Sequence, residues 1–119
     1  MDANNYEKAL VLYHKGRVAF ENNDIEIAIC YFLQSAQQDV HFKTYEWLYT
    51  CYIKLGDDEL AFEAIQKAYE LNPQNDKTAY IYACMLKSRG DVVLSQNVAR
   101  EILRRNPSYR PKEIQKILS

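Results

Sequence analysis

The chain has 119 residues, of which 48% are hydrophobic and 26% are charged, and its formal net charge is −1. This composition is typical of a single globular domain with a buried core and excludes a disordered chain. Proteins that neutralise phosphates are normally basic, so the charge balance disfavours nucleic acid as the main partner. The chain has only three glycines and three prolines, which favours helices over a turn-rich β-sandwich.

Three two-residue turn signals recur along the chain at intervals of 33 and 34 residues. They are Asn23-Asp24, Gly56-Asp57 and Gly90-Asp91. Asn and Gly tolerate the left-handed conformation that ends a helix, and the Asp that follows is predicted to cap the next helix. A period of this length indicates stacked helical hairpins, so we expect binding rather than catalysis.

Apolar residues on both sides of each turn recur at i, i+3, i+4 and i+7, as in helices with one buried stripe. In the first hairpin the stripes are Ala9, Leu12, Gly16 and Ala19 before the turn, and Ile25, Ala28, Ile29, Phe32 and Ala36 after it. The two later hairpins repeat the pattern, and Tyr45, Tyr52 and Tyr82 fall on their stripes. We therefore assign these three tyrosines to packing.

Prolines mark the ends of the second and third hairpins, at Asn72-Pro73 and Asn106-Pro107, because the residue before proline avoids the helical conformation. A seventh, short helix is predicted over residues 111–118, with proline at its first position. Its apolar side chains are expected to cover the flank of the last hairpin, as the cap of a solenoid does. They are Ile114, Ile117 and Leu118.

The order of residues inside each hairpin resembles the tetratricopeptide repeat (TPR), whose pattern is W-x2-L-G-x2-Y…A-x3-F…P over 34 residues. The first unit matches it at Gly16, Ala28 and Phe32, and the second carries the typical stretch GDDELAFEAIQKAYELNP. The resemblance implies an all-α fold, a right-handed α-superhelix (TPR solenoid) of three helix-turn-helix hairpins plus a capping helix. One domain is then expected over residues 1–119, with repeats at about 9–41, 42–75 and 76–109.

Three departures from the repeat pattern bear on packing. Ser95 stands where the pattern has alanine, so its hydroxyl needs a hydrogen-bond partner if it is buried. Tyr49 replaces a small residue, which predicts looser packing in the second unit. Val40 replaces the proline that would end the first repeat, which predicts a softer junction.

The resemblance also implies a binding site, because in TPR proteins the first helix of each hairpin lines a concave groove. Carried over to this chain, the lining residues are Leu10, Tyr13, Arg17, Phe20, Lys43, Glu46, Thr50, Ile53, Lys77, Tyr80, Cys84 and Lys87. They combine aromatic side chains with cations, the types that often dominate binding energy. We expect a partner peptide with apolar anchors and negative charge, or a free C-terminal carboxylate.

Some TPR domains hold the acidic C-termini of heat-shock chaperones through a clamp of Lys, Asn and Arg side chains. The corresponding positions here are Tyr13, Arg17, Trp47, Lys77 and Ile81. Only Lys77 matches the clamp, so we do not expect this chain to bind chaperones in that way.

Catalytic and metal-binding patterns are missing. His14 and His41 are 27 residues apart, with no further ligand at metal-binding spacing, and there is no G-x-S-x-G elbow or glycine-rich phosphate loop. We expect no enzyme activity, no metal site and no cofactor. Cys30 and Cys51 are predicted to lie in or near the core, and Cys84 on the groove side.

The remaining patterns concern location and surface charge. The N-terminus MDANNYEKAL lacks a basic stretch followed by an apolar one, and no apolar run approaches the roughly 18 residues that cross a membrane. Three cysteines without a Cys-x-x-Cys pair are typical of reduced thiols, so we expect a cytoplasmic protein. A basic cluster is interpreted as a solvated face, with contact to an acidic partner as the alternative. It consists of Arg100, Arg104, Arg105, Arg110, Lys112 and Lys116.

The sequence therefore predicts a protein–protein interaction module that acts as an adaptor, scaffold or assembly chaperone. Self-association into a homo-oligomer is an alternative, because a short array leaves edge helices and a groove that a second copy can fill. Binding of single-stranded RNA, as in pentatricopeptide repeats, is a further alternative, although the near-neutral charge argues against it.

Overall fold

A computed structural model describes residues 3–119, in which it has seven α-helices and no strands. The helices are α1 (Ala3–Glu21), α2 (Ile25–Gln38), α3 (Phe42–Leu55), α4 (Asp58–Leu71), α5 (Asp76–Ser88), α6 (Val92–Arg105) and α7 (Pro111–Leu118). The predicted all-α class and the capping helix are confirmed. No helix within residues 3–119 is both long enough and apolar enough to cross a membrane.

The helices fall into two compact units. The first contains α1–α4 and is described over residues 3–71, and the second contains α5–α7 over residues 72–119. Within the units, α1 packs on α2, α3 on α4 and α5 on α6 as the predicted hairpins, and α7 packs on α6 and α5. The prediction of a single domain over 1–119 stays a prediction.

Left-handed residues end the first helix of each hairpin, as predicted. Asn23 has a φ of 63°, Gly56 of 75° and Gly90 of 88°. In this region of conformational space a Cβ atom clashes with the backbone, so glycine and asparagine are favoured there. The turn period in the sequence is therefore a period of backbone conformation.

The prediction that the following aspartate caps the next helix is right at one turn and wrong at two. The Oδ1 atom of Asp57 accepts a hydrogen bond of 3.1 Å from the amide of Leu60. Asp24 and Asp91 make no side-chain capping bond, and their ψ angles are 69° and 68°. A capping residue normally has an extended backbone, so these two conformations do not direct the carboxylate at the helix amides.

The core of the first unit is built around Phe32, which is fully buried between α1 and α3. Its ring stacks on Trp47 with 5.7 Å between ring centroids. On the other side it lies against Gly16, where an added Cβ would be only 2.7–2.9 Å from the ring atoms. Glycine at this helix position therefore allows α1 and α2 to approach closely. Tyr45 and Tyr52 pack against the same core, as predicted.

The core of the second unit contains a buried hydroxyl that the sequence had flagged. Ser95 is fully buried, and its Oγ donates a hydrogen bond of 2.8 Å to the carbonyl of Ala83. The requirement for a partner is thus met by the backbone of α5. Tyr82 is buried beside this contact on α5, which confirms its assignment to packing.

One of the two buried cysteines predicted from the sequence is exposed. Cys51 is buried, and burial raises the pKa of its thiol to about 11. Cys30 is exposed, because it lies two residues from the buried Ala28 and therefore on the opposite side of α2. All three cysteines are free thiols, and Cys84 is half-buried.

An ion pair in the second unit links the start of α5 to the end of α6. Arg105 donates from Nη2 to Oδ1 of Asp76 at 2.8 Å, and Asn106 donates from Nδ2 to Oδ2 at 3.0 Å. Burial disfavours the charged carboxylate, but these hydrogen bonds and the charge of Arg105 outweigh it and lower the pKa of Asp76. The ionised form is therefore the one that the fold stabilises.

We expect Asp76→Asn to lower the free energy of unfolding by roughly 1–2 kcal/mol at pH 7, because it removes charge-assisted hydrogen bonds. A carboxyl group with a lowered folded-state pKa stabilises the fold above its unfolded pKa, near 4, and this contribution is lost as the pH falls through the folded value. Urea unfolding at pH 7 and pH 3 measures the effect. The variant and the wild type should converge at pH 3.

Glu101→Gln is the control for Asp76→Asn. Glu101 pairs with Arg104 on the exposed surface of α6, so its removal is expected to have little effect. Equal losses in the two variants would contradict the structural role of Asp76.

Candidate functional site

Four of the eight groove residues predicted in the first unit line one cavity of about 350 Å³. These four are Leu10, Tyr13, Arg17 and Lys43. The wall is completed by Tyr6, Ala9, Ser35, Asp39, His41 and Thr44. The cavity therefore lies where α1 meets the end of α2 and the start of α3.

Two elements place side chains at this cavity. Along α1, positions 10, 13 and 17 are three and four residues apart, so they share one face of the helix. At the start of α3, His41 is the N-cap, and its Nδ1 accepts a hydrogen bond of 3.1 Å from the amide of Lys43. On α2, the Oγ of Ser35 donates to the carbonyl of Ala9 at 2.7 Å, which holds the two helices together behind the cavity.

An aromatic cluster supports the cavity from the side of α3, and Trp47 is its centre. The indole Nε1 donates a hydrogen bond of 2.9 Å to the hydroxyl of Tyr13. The Trp47 ring stacks on Phe32 and meets Phe20 edge-on, with 5.2 Å between the last two centroids. Sequence reasoning treated Trp47 only as a position that fails to match the chaperone clamp.

Cations lie over the rings of this aromatic cluster. The guanidinium carbon of Arg17 is 5.9 Å from the centroid of the Trp47 ring, and Nζ of Lys54 is 5.6 Å from that of Phe20. Cation–π contacts of this kind add modest stability and restrict the orientation of the cation. Arg17 therefore reaches the cavity from a supported position.

The other four predicted groove residues of the first unit do not line this cavity. Phe20 is half-buried in the aromatic cluster, and Ile53 is exposed on α3. Glu46 and Thr50 are half-buried, and the Thr50 hydroxyl donates to the Glu46 carbonyl at 3.1 Å. Their part in binding stays a prediction.

In the second unit, two predicted groove residues are already engaged. Lys87 donates from Nζ to the carbonyls of Lys116 and Ile117 at the end of α7. Its charge therefore caps the C-terminus of a helix, where a cation is favourable. Tyr80 lies under the Arg110 guanidinium, 5.1 Å from its carbon, and this contact covers part of the ring.

The remaining two residues of that set are more open. Lys77 is exposed at the start of α5, and Cys84 is half-buried. Burial, followed by a hydrogen bond to Cys84, raises the pKa of Tyr80. That these residues and those of the first unit form one groove stays a prediction. Within residues 3–119, no group of three or more His, Cys, Asp and Glu side chains is placed to hold a metal ion.

Hairpins with a turn every 33 or 34 residues, glycine-to-aromatic contact inside the first hairpin and a short final helix together define the TPR fold. The model of the tetratricopeptide repeat family matches residues 50–75. The resemblance deduced from the sequence is therefore confirmed. None of the curated protein sequences compared with the chain matches it.

Solved TPR structures share the fold along almost the whole chain. Yeast Tom70 is 26% identical with a TM-score of 0.78, and the match covers 94% of this chain and 23% of Tom70. The second TPR domain of human RPAP3, in complex with the HSP70 peptide SGPTIEEVD, is 17% identical with a TM-score of 0.77 and coverages of 97% and 98%. The first TPR domain of Spaghetti (RPAP3), bound to the HSP90 peptide SRMEEVD, is 20% identical with a TM-score of 0.75 and coverages of 94% and 91%.

Proposed function

We propose that the chain is a non-catalytic protein–protein interaction module that binds a peptide segment of a partner at the cavity of the first unit. The fold supports this proposal, because two of the compared TPR domains are bound to peptides. The observation that carries the proposal is the cavity itself, in which four of the residues predicted from the sequence come together.

The size and lining of the cavity suit a short peptide segment. A volume of about 350 Å³ falls at the lower end of the range for ligand pockets, so the cavity has room for a few side chains. At its edge, Tyr6 and Leu10 are 54% and 42% exposed, which leaves apolar surface for an anchor side chain. Arg17 and Lys43 lie beside this apolar surface, so the preferred partner segment is acidic as well as apolar.

We further propose that the chain works as an adaptor, scaffold or assembly chaperone in the cytoplasm, where its three free thiols would stay reduced. In this role the partner segment would lie along the groove formed by the first helices of the hairpins.

Selection from a library of random peptides displayed on phage tests the proposal. The immobilised full chain is expected to recover peptides with dissociation constants in the micromolar range. Leu10→Gln should weaken their binding about tenfold, because it removes apolar surface and leaves a polar group to be desolvated. Isothermal titration calorimetry measures both affinities.

Val18→Gln is the matched control, since Val18 is an exposed apolar residue on the same helix that does not line the cavity. Its peptide affinities should equal those of the wild type. Recovery of no peptide above background, or equal losses in the two variants, would reject the cavity as the binding site.

A further inference from the structure

Arg17 is a half-buried cation without a hydrogen-bonding partner. Its Nε atom is buried and donates to no acceptor among residues 3–119. The contact with the Trp47 ring is made by the face of the guanidinium carbon and uses none of the N–H groups in a conventional hydrogen bond. Buried N–H groups are rarely left unpaired, so an acceptor supplied by a ligand would satisfy a group that the fold leaves open.

The support under Arg17 favours a planar acceptor. Trp47 is itself fixed by its stack on Phe32 and its hydrogen bond to Tyr13. A guanidinium on a fixed ring loses little further freedom when it binds, and its fork of donors matches the two oxygens of a carboxylate. The geometry therefore favours a carboxylate over a single neutral acceptor.

The charge of the cavity wall favours the same ligand. Arg17 and Lys43 are the two cations of the wall, and Asp39 is its single carboxylate. Within residues 3–119, Asp39 forms no ion pair with either cation. The cations are therefore not neutralised by the wall itself, and an anion that enters meets a net positive surface.

Tyr13 supplies a second donor beside Arg17. Its hydroxyl oxygen accepts the hydrogen bond from the Trp47 indole, so its own hydrogen is left for another acceptor. Tyr13 and Arg17 are four residues apart on α1 and both line the cavity.

We propose that the cavity of the first unit binds a carboxylate of the partner peptide through Arg17, with an adjacent apolar side chain of the peptide on Tyr6 and Leu10. The carboxylate belongs to an Asp or Glu side chain or to a free C-terminus. This inference rests on the proposed function, because it assigns the chemistry recognised by the same cavity. It differs from the heat-shock clamp, since Tyr13 and Trp47, at two of the clamp positions, are hydrogen-bonded to each other.

The experiment is a double-mutant cycle between chain and peptide. The peptide recovered by selection that binds most tightly is synthesised with its acidic residues as they are and as amides, and with a free or amidated C-terminus. Calorimetry then compares the wild-type chain with Arg17→Gln. Loss of the recognised carboxylate should weaken binding to the wild type about tenfold or more, and Arg17→Gln should bind both forms with the same reduced affinity.

The arms of the cycle distinguish the two sources of the carboxylate, since only one of the two neutralised peptides should lose affinity. Lys15→Gln is the control, because Lys15 is an exposed cation of α1 outside the cavity, and it should behave as the wild type. Arg17→Lys keeps the charge without the planar fork and is expected to bind with intermediate affinity, which covers the case in which Arg17→Gln does not fold.

Three results would overturn the inference. A peptide that loses nothing when its carboxylates are neutralised contradicts it, even if Leu10→Gln still weakens binding and the proposed function therefore stands. A loss on neutralisation that persists at full size in both Arg17→Gln and Arg17→Lys assigns the carboxylate to another residue. Failure to recover any peptide rejects this inference and the proposed function together.

Discussion

Replacing Phe32 with alanine is expected to lower the free energy of unfolding by about 3–5 kcal/mol, the range for a large aromatic side chain removed from a packed core. Phe32 is fully buried and contacts three partners at once: Gly16 on α1, the ring of Tyr13 and the ring of Trp47. A loss of this size is a large part of the 5–15 kcal/mol that stabilises a typical domain. Urea unfolding followed by circular dichroism measures it.

The fluorescence of Trp47, which is the only tryptophan of the chain, gives a second measurement of the same change. Its emission should shift towards that of an exposed indole in Phe32→Ala, because the stacking partner is gone. Leu33→Ala is the matched control, since Leu33 is the next residue of α2 and is 44% exposed. Equal losses for the two variants would show that Phe32 is not the centre of this core.

Gly16 tests the same contact from the opposite side. Alanine is favoured over glycine inside a helix by about 1 kcal/mol, so Gly16→Ala would stabilise α1 in isolation. In the folded chain the added Cβ meets the Phe32 ring at 2.7 Å, so the substitution should destabilise the protein. Phe32→Leu in the same chain should recover part of that loss, because the smaller side chain leaves room for the Cβ.

Replacing Ile114 with alanine is the second change with a large expected effect, about 2–5 kcal/mol. Ile114 is fully buried on α7, which packs against α6 and α5. An eight-residue helix is not stable by itself in water, so α7 depends on this packing. We therefore expect the whole helix to detach when the side chain is truncated.

Hydrogen exchange identifies that detachment. Amides within residues 111–118 should lose their protection in Ile114→Ala, and Lys87 should lose the carbonyl acceptors that it has at the end of α7. Gln115→Ala changes the neighbouring exposed residue and should leave both stability and protection unchanged. Protection of α7 that survives in Ile114→Ala would contradict its role as the anchor of the cap.

Much of the candidate site could be predicted from helical geometry, although its centre could not. Leu10, Tyr13 and Arg17 follow from their spacing on one helix face and from the known role of the first helices in TPR proteins. The role of Trp47 depends on a contact with Tyr13, 34 residues away on another helix. The sequence does contain a signal, because a single tryptophan one repeat length from a predicted groove tyrosine marks equivalent positions on neighbouring repeats.

By itself the sequence determined the local structure: seven helices, the left-handed turn residues and the proline before α7, because each depends on backbone preferences and on apolar spacing within one segment. It also determined that the buried hydroxyl of Ser95 needs a partner. Only the tertiary structure decided which side chains stay available for binding, since Arg17 keeps an unpaired donor while Lys87 binds the end of α7. The two cations look alike in the sequence, and they differ because non-local packing determines which acceptors lie within reach of each side chain.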